Sequence, residues 1–171
     1  MTSDTTVRLD DKRSRTARHL RYEPTGEALD RLVAEFELLG LRKAALTAEL
    51  TPEGSRDWAL TGRLGATVVQ PCVVTLQPVT TRIEAPFERI YVDGLPEAKA
   101  GEEIEMPEDD RIEARPSVLH LDQLFAEVLA LELPAFPRAD GAELPATVAE
   151  SDEKPNPFAV LAQLKSTLKG S

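Results

Sequence analysis

Few residues in this chain are equipped for chemistry. It holds one cysteine, Cys72, and two histidines, His19 and His120. A Cys/His zinc centre needs more ligands than these unless carboxylates complete it. Cys72 sits in Gln70-Pro-Cys-Val-Val-Thr with no second cysteine at metal or redox spacing, so it reads first as a small buried hydrophobe. His120 precedes an apolar helix, where it would cap the start, face solvent or act as a base. No nucleophile or orienting carboxylate is marked out for it. His19 lies among arginines and reads as a surface residue able to share a phosphate contact. Glu102, Glu103, Glu105, Asp109 and Asp110 are dense enough for Mg²⁺, but they lack calcium-loop spacing and read as a solvated acidic loop. Gly62 and Gly65 fall inside strand-like sequence, which points to sheet curvature or a bulge there and not to nucleotide contact. No catalytic residue, metal site or cofactor is expected. The chain reads as a binding protein, not an enzyme, and no small-molecule substrate is expected.

Charge narrows the partner. The formal net charge is −10, which repels nucleic acid and anionic lipid as a whole and favours a basic partner. The distribution is uneven. Arg8, Lys12, Arg13, Arg15, Arg18 and Arg21 form a basic run, so a local arm can still touch phosphate. Glu97 to Asp110 is the acidic counterpart.

A chain of 171 residues fits one domain with a real core. We read residues 1–171 as one domain, with a basic segment at 1–24 and acidic loops near 93–110 and 134–155. Apolar residues make up 42%, but aromatics only 5%, so the core must be mostly Leu, Val and Ala. The first residues lack the basic start and apolar run of a signal peptide, and no apolar stretch is long enough to span a bilayer. The expected location is the cytoplasm, without membrane contact.

The positioning elements follow from periodicity. Leu29, Leu32, Val33 and Phe36 predict a helix over 26–38, capped by Thr25 and ended by Gly40. Ala44, Leu46, Ala48 and Leu50 alternate as a strand, and Thr51-Pro-Glu-Gly-Ser supplies a turn. Trp58, Leu60, Gly62, Leu64, Ala66 and Val68 share one face of the next strand. Cys72, Val74 and Leu76 continue the extended pattern to a turn at Gln77-Pro-Val-Thr. Ile83, Ala85, Phe87, Arg89 and Tyr91 mark the return strand, and Arg111 to Val118 rejoins the sheet. Val7, Leu9, Leu20 and Tyr22 belong to an edge strand or a loosely held arm. Leu121, Leu124, Phe125, Val128 and Leu131 give a helix over 121–132. A last helix starts at Asn156-Pro157, with Phe158, Leu161, Leu164 and Leu168 as its stripe. The expected fold is α+β: a curved antiparallel sheet, open or closed as a small barrel, packed with N-terminal and C-terminal helices.

Three pieces in order carry a resemblance. They are Val69-Gln-Pro-Cys-Val-Val-Thr-Leu-Gln-Pro78 with the following Thr81-Arg-Ile-Glu-Ala-Pro-Phe-Glu88, then Leu121-Asp-Gln-Leu-Phe-Ala-Glu127 through Pro134, and finally Pro155-Asn-Pro-Phe-Ala-Val-Leu161 through Lys165. The set resembles the YceD-like family of bacterial large ribosomal RNA subunit accumulation proteins, and looks most like its alphaproteobacterial branch. Cys72 matches the first cysteine of the Cys-x-x-Cys pattern of many members. Thr75 stands where the second would be, which puts any metal or redox role of the pair in doubt here. Leu76 and Pro78 match the following Leu and Pro, which read as packing and turn residues. Glu127 matches an acidic helix position, and Asn156, Pro157 and Phe158 match the terminal signature.

The resemblance implies a role in accumulation or maturation of large-subunit (23S) rRNA. The partner would be that rRNA, or a ribosomal or assembly protein. If RNA is touched directly, Arg13, Arg15, Arg18 and Arg21 are the candidate phosphate contacts. The competing reading is an acidic protein-interaction adaptor unrelated to ribosomes.

Overall fold

The computed structural model describes residues 5–10, 15–95, 109 and 111–143. The described strands are β1 (Thr6–Arg8), β2 (Arg18–Tyr22), β3 (Gly40–Glu53), β4 (Asp57–Pro71), β5 (Pro78–Val92), β6 (Ile112–Ala114) and β7 (Val118–His120), with helices α1 (Glu27–Glu35) and α2 (Leu121–Glu132). They make an α+β fold and lie in one compact unit, Met1–Ala139. Of the second unit, Asp140–Ser171, the described part is 140–143, with Gly141 at φ +73°. The expected helix from Asn156 and most of the acidic segment 93–110 lie outside the described residues.

The main sheet has the order β2-β3-β4-β5-β6, and β1 pairs separately with β7. Three long strands form two hairpins, β3–β4 and β4–β5, with Leu50 opposite Leu60 and Gly62 opposite Phe87. The period-two pattern of β4 is the reason: Trp58, Leu60, Leu64, Ala66 and Val68 are all buried on one face. Antiparallel pairing holds from β2 to β5, but β6 runs parallel to β5, so the sheet is mixed. β6 lies beside the last residues of β5, Ile90 to Val92, and the chain between the two strands is longer than the roughly dozen residues a parallel connection needs. No pair joins β2 to β6 among the described residues.

The expected bulge is displaced. It lies in β3, where Arg42 faces Thr67 and Ala45 faces Gly65, so Lys43 and Ala44 together oppose Ala66. Lys43 takes φ +48° to make it. Gly62 serves another end. A Cβ there would strike the Phe87 ring and lie 2.7 Å from the Thr47 carbonyl. Glycine is what lets the aromatic ring lie across the strand.

Both helices cover the apolar face. α1 packs on β3, and α2 packs on β2, β4 and β5. α2 spans the predicted residues because Leu121, Leu124, Phe125, Val128 and Leu129 form a continuous buried stripe. Phe125 meets Tyr22 edge-on, with ring centroids 5.8 Å apart. Each such fully buried side chain contributes roughly 1.5–3 kcal/mol of transfer free energy. The ends of α1 differ from expectation. Its N-cap is Gly26 with no side-chain bond, and Thr25 offers only its carbonyl to Ala28 N–H. Its C-terminus closes at Glu37 (φ +51°), where Leu38 N–H reaches the Val33 carbonyl at 2.9 Å and the Leu38 side chain is buried. Gly40 instead starts β3.

The described residues of the N-terminal segment include two paired strands, β1 and the edge strand β2. β1 pairs with β7, Leu9 N–H donates to the Ser117 carbonyl at 3.0 Å, and Leu121 N–H donates to the Thr5 carbonyl at 2.8 Å. Val7 and Leu9 are buried beneath it.

Candidate functional site

Trp58 opens β4 beside the β3–β4 hairpin and is almost wholly buried, its indole N–H donating to the Leu9 carbonyl at 3.3 Å. Two guanidinium groups approach its ring: Arg15 at 5.0 Å from the centroid and Arg18 at 5.9 Å. Arg15 is held in place by bonds to the carbonyls of Glu53 (3.1 Å) and Asp57 (2.6 Å). Arg115, which follows β6, donates to the same Leu9 carbonyl at 2.8 Å and ion-pairs with Asp93. Arg56, at the hairpin tip, reaches the other Asp93 oxygen at 3.1 Å. Asp57 accepts the Asp93 backbone N–H at 2.9 Å, fixing the loop after β5. The Arg115 and Arg56 guanidinium groups hold the Asp93 carboxyl below the usual carboxylate range. Leu9, Asp10, Arg15, Ser55, Arg56, Asp93 and Arg115 line a cavity of about 560 Å³.

Arg15 and Arg18, from one segment, thus lie over the buried indole, and Arg15, Arg56 and Arg115, from three segments, line the neighbouring cavity. Such an arrangement can present guanidinium donors to an anion while Asp93 fixes the orientation of two of them. Arg56 and Arg115 carry no mark in the sequence, because only the sheet topology brings residues 56 and 115 to residue 15.

The basic run divides between two faces of the sheet. Arg18 sits in register with buried Leu50 and so belongs with Trp58, whereas Arg21 sits in register with Thr47 on the opposite, solvated face. There Arg21 pairs with Glu23. Arg21 and His19 line a shallow depression with Thr47, Glu49, Thr61 and Arg63. Arg13 lies outside the described residues, as do Asn156, Pro157 and Phe158.

Cys72 is fully buried, but in a turn and not in a continued strand. Its N–H donates to the Gln77 carbonyl at 2.8 Å, closing the β4–β5 connection. Its Sγ accepts N–H groups from Val74 (3.4 Å), Thr75 (3.4 Å) and Ala139 (3.3 Å). The Thr75 side chain, with these amides, lowers the thiol pKa to about 6. Thr75 therefore hydrogen-bonds the sulfur from the position where the family pattern has its second cysteine. Pro78 faces Pro71 at the end of the ladder, as a turn residue does. Leu76 is not a packing residue: it is 76% exposed, at φ +61°. His120 is exposed and makes no side-chain cap bond to α2. Glu127 lies exposed on α2. Among the described residues no group of three or more His, Cys, Asp or Glu is placed to hold a metal ion, and no helix is long and apolar enough to cross a membrane.

Comparison with known proteins adds one result. The model of the family described as large ribosomal RNA subunit accumulation protein YceD matches residues 60–165, from β4 through the Cys72 turn and α2 to the terminal Asn-Pro-Phe segment. Neither a curated protein nor a solved structure matches the chain. Since the matched residues make up more than half of the chain and include each piece of the ordered motif set, the chain belongs to the YceD family.

Proposed function

We propose that this chain is a non-enzymatic cytoplasmic factor, of the alphaproteobacterial type within its family, that promotes accumulation or maturation of large-subunit (23S) rRNA. It acts by binding, and the surface it uses is the arginine group around Trp58. Family membership supports the ribosomal role. The observation that carries the contact is the convergence of Arg15, Arg56 and Arg115 on one cavity, with Arg18 beside Arg15 over the Trp58 ring, in a chain whose net charge is −10. An acidic protein that touches a phosphate backbone must gather positive charge locally, and this face does so. Arg21, on the opposite face, takes no part in this surface.

The test is binding of 23S rRNA fragments to the full chain across a salt series. Arg15→Ala with Arg56→Ala should weaken binding about tenfold or more and flatten the salt dependence by roughly one unit of slope per lost phosphate contact. Unchanged affinity and slope would remove the surface from consideration.

The net charge also favours a second reading, a protein-interaction adaptor that engages a basic protein. Crosslinking and pull-down from growing cells at physiological salt separates the two. Enrichment of 23S rRNA supports direct contact, and enrichment of a non-ribosomal protein with rRNA at background supports the adaptor.

A further inference from the structure

A second site lies between β5, β6 and the start of α2. A cavity of about 190 Å³ is lined by Tyr91, Glu113, His120, Gln123 and Glu127, with Ala114, Pro116, Val118, Leu119 and Leu124 as its apolar wall. Tyr91 and Glu113 are register partners across the parallel pair. Tyr91 is 3% exposed, yet its hydroxyl has no hydrogen-bond partner among the described residues. It is not sealed in, as the unpartnered Asp122 Oδ1 is, and Tyr91 lines this cavity. A buried phenol normally finds a partner, so this one is set to receive a ligand.

The charges around it do not balance. Glu113 pairs with Arg89 at 2.6 Å. Glu127 has no ion-pair partner among the described residues. Burial first, and then the Glu127 carboxylate, raise the Glu113 carboxyl above its ordinary range, and both carboxylates act on Tyr91 in the same direction. The one guanidinium pairs with Glu113, and the Glu127 carboxylate lines the cavity with no cation paired to it among the described residues.

We propose that this cavity receives the basic side chain, lysine or arginine, of a protein partner, with Glu127 as its counter-ion and the Tyr91 hydroxyl as its hydrogen-bond acceptor. The uncompensated carboxylate excludes phosphate, so this is not an RNA contact. The cavity suits one side chain entering over apolar walls that take its methylene stem. The overall charge of −10 steers a basic protein toward it. That the partner is a ribosomal protein rests on the function proposed above; the chemistry of the cavity does not.

The probe is a short blocked Gly-Arg-Gly peptide, titrated into the full chain and followed by NMR, with Gly-citrulline-Gly as the uncharged control. The arginine peptide should give saturable shifts at Tyr91 and Glu127 that the control does not. Glu127→Gln should weaken binding about tenfold, and Tyr91→Phe by a smaller factor. Glu127 is exposed on its helix, so its substitution leaves the fold intact. Equal binding of the citrulline peptide, or undiminished binding to Glu127→Gln, overturns the proposal. A photocrosslinker at Gln123 in cells then identifies the partner. Capture of a ribosomal protein through a basic segment supports both readings. Capture of a basic non-ribosomal protein supports the cavity and removes the ribosomal reading, and capture of RNA alone removes the cavity proposal.

Discussion

Arg15 stacks 5.0 Å from the Trp58 ring and donates to two carbonyls flanking the β3–β4 turn, so the segment before β2 is latched to a hairpin tip far from it in sequence. The same indole donates its N–H to the Leu9 carbonyl, which ties the β1–β7 pair to the main sheet. Trp58 is therefore both a core residue and the floor of the arginine face. Trp58→Ala should lower stability by about 3–5 kcal/mol in urea unfolding, through loss of burial and the cavity left behind. Arg15→Ala should lower it by about 1 kcal/mol, since the carbonyls it leaves can turn to water. Equal effects from the two would mean that the latch, and not the indole, anchors this end.

The two glycines of β4 separate by what lies over them. A Cβ at Gly62 would press on backbone at Thr47 and on the Cβ of Ala48, neither of which can swing away. A Cβ at Gly65 would meet the end of the Arg82 side chain at 2.8 Å, an exposed, flexible group that can shift although it bonds Glu84, Thr67 and the Lys43 carbonyl. Gly62→Ala should cost about 1–3 kcal/mol, as overpacking does. Gly65→Ala should fall within about 0.5 kcal/mol of the parent. Chemical unfolding of both variants checks the order, and a larger cost at Gly65 would contradict the packing described.

Some of this was legible in the sequence because it is local. The α2 stripe from Leu121 to Val128 marked the helix with its boundaries, and the alternation from Trp58 to Val68 gave the buried face of β4. The turn at Cys72–Gln77 misread as strand because Cys72, Val74 and Leu76 alternate with period two. What bends the chain there is a set of amides around a sulfur and a residue at positive φ, and no residue type announces either. The parallel seat of β6 was hidden for a different reason: the connection before it is long, and long connections do not fix direction. The arginine face was half visible. Arg15 and Arg18 stand in an obvious basic run, while Arg56 and Arg115 join them only through the β3–β4 hairpin and the β5–β6 pair. Arg21 shows the converse: three residues from Arg18 in a strand is the opposite face.

Asp93 links Arg56 to Arg115, and its carboxyl is held below the ordinary value by both, Arg115 foremost. A depressed folded-state pKa adds stability that is present above the unfolded value, near 4, and is lost as pH falls through the folded one. Asp93→Asn should therefore flatten the acid limb of the stability profile while lowering stability at neutral pH. The loss at neutral pH should be larger than for Arg56→Ala, because the Arg115 guanidinium, mostly buried, would lose its charge partner. Urea midpoints between pH 3 and 7 read both effects. An unchanged acid limb would show that Asp93 titrates alike in the folded and unfolded chains.

Cys72 provides the corresponding signal on the alkaline side. Its sulfur is fully covered, a setting that disfavours a thiolate, but the Thr75 side chain and three backbone amides outweigh the desolvation and bring the pKa to about 6. In the unfolded chain the thiol titrates near 8.5. Between these values the folded protein carries a thiolate where the unfolded chain still holds the proton. Stability should thus rise with pH from about 6 to about 8.5 and then level off. Thr75→Val removes the largest contribution and should raise the thiol pKa, narrowing the window, while Cys72→Ala should abolish this rise. Thiolate absorbance against pH follows the ionisation directly in the folded protein. Because the sulfur is covered, alkylation should remain slow even at pH 8, and unfolding in urea should accelerate it sharply. Rapid alkylation of the folded chain would place the sulfur at the surface and contradict the closed turn.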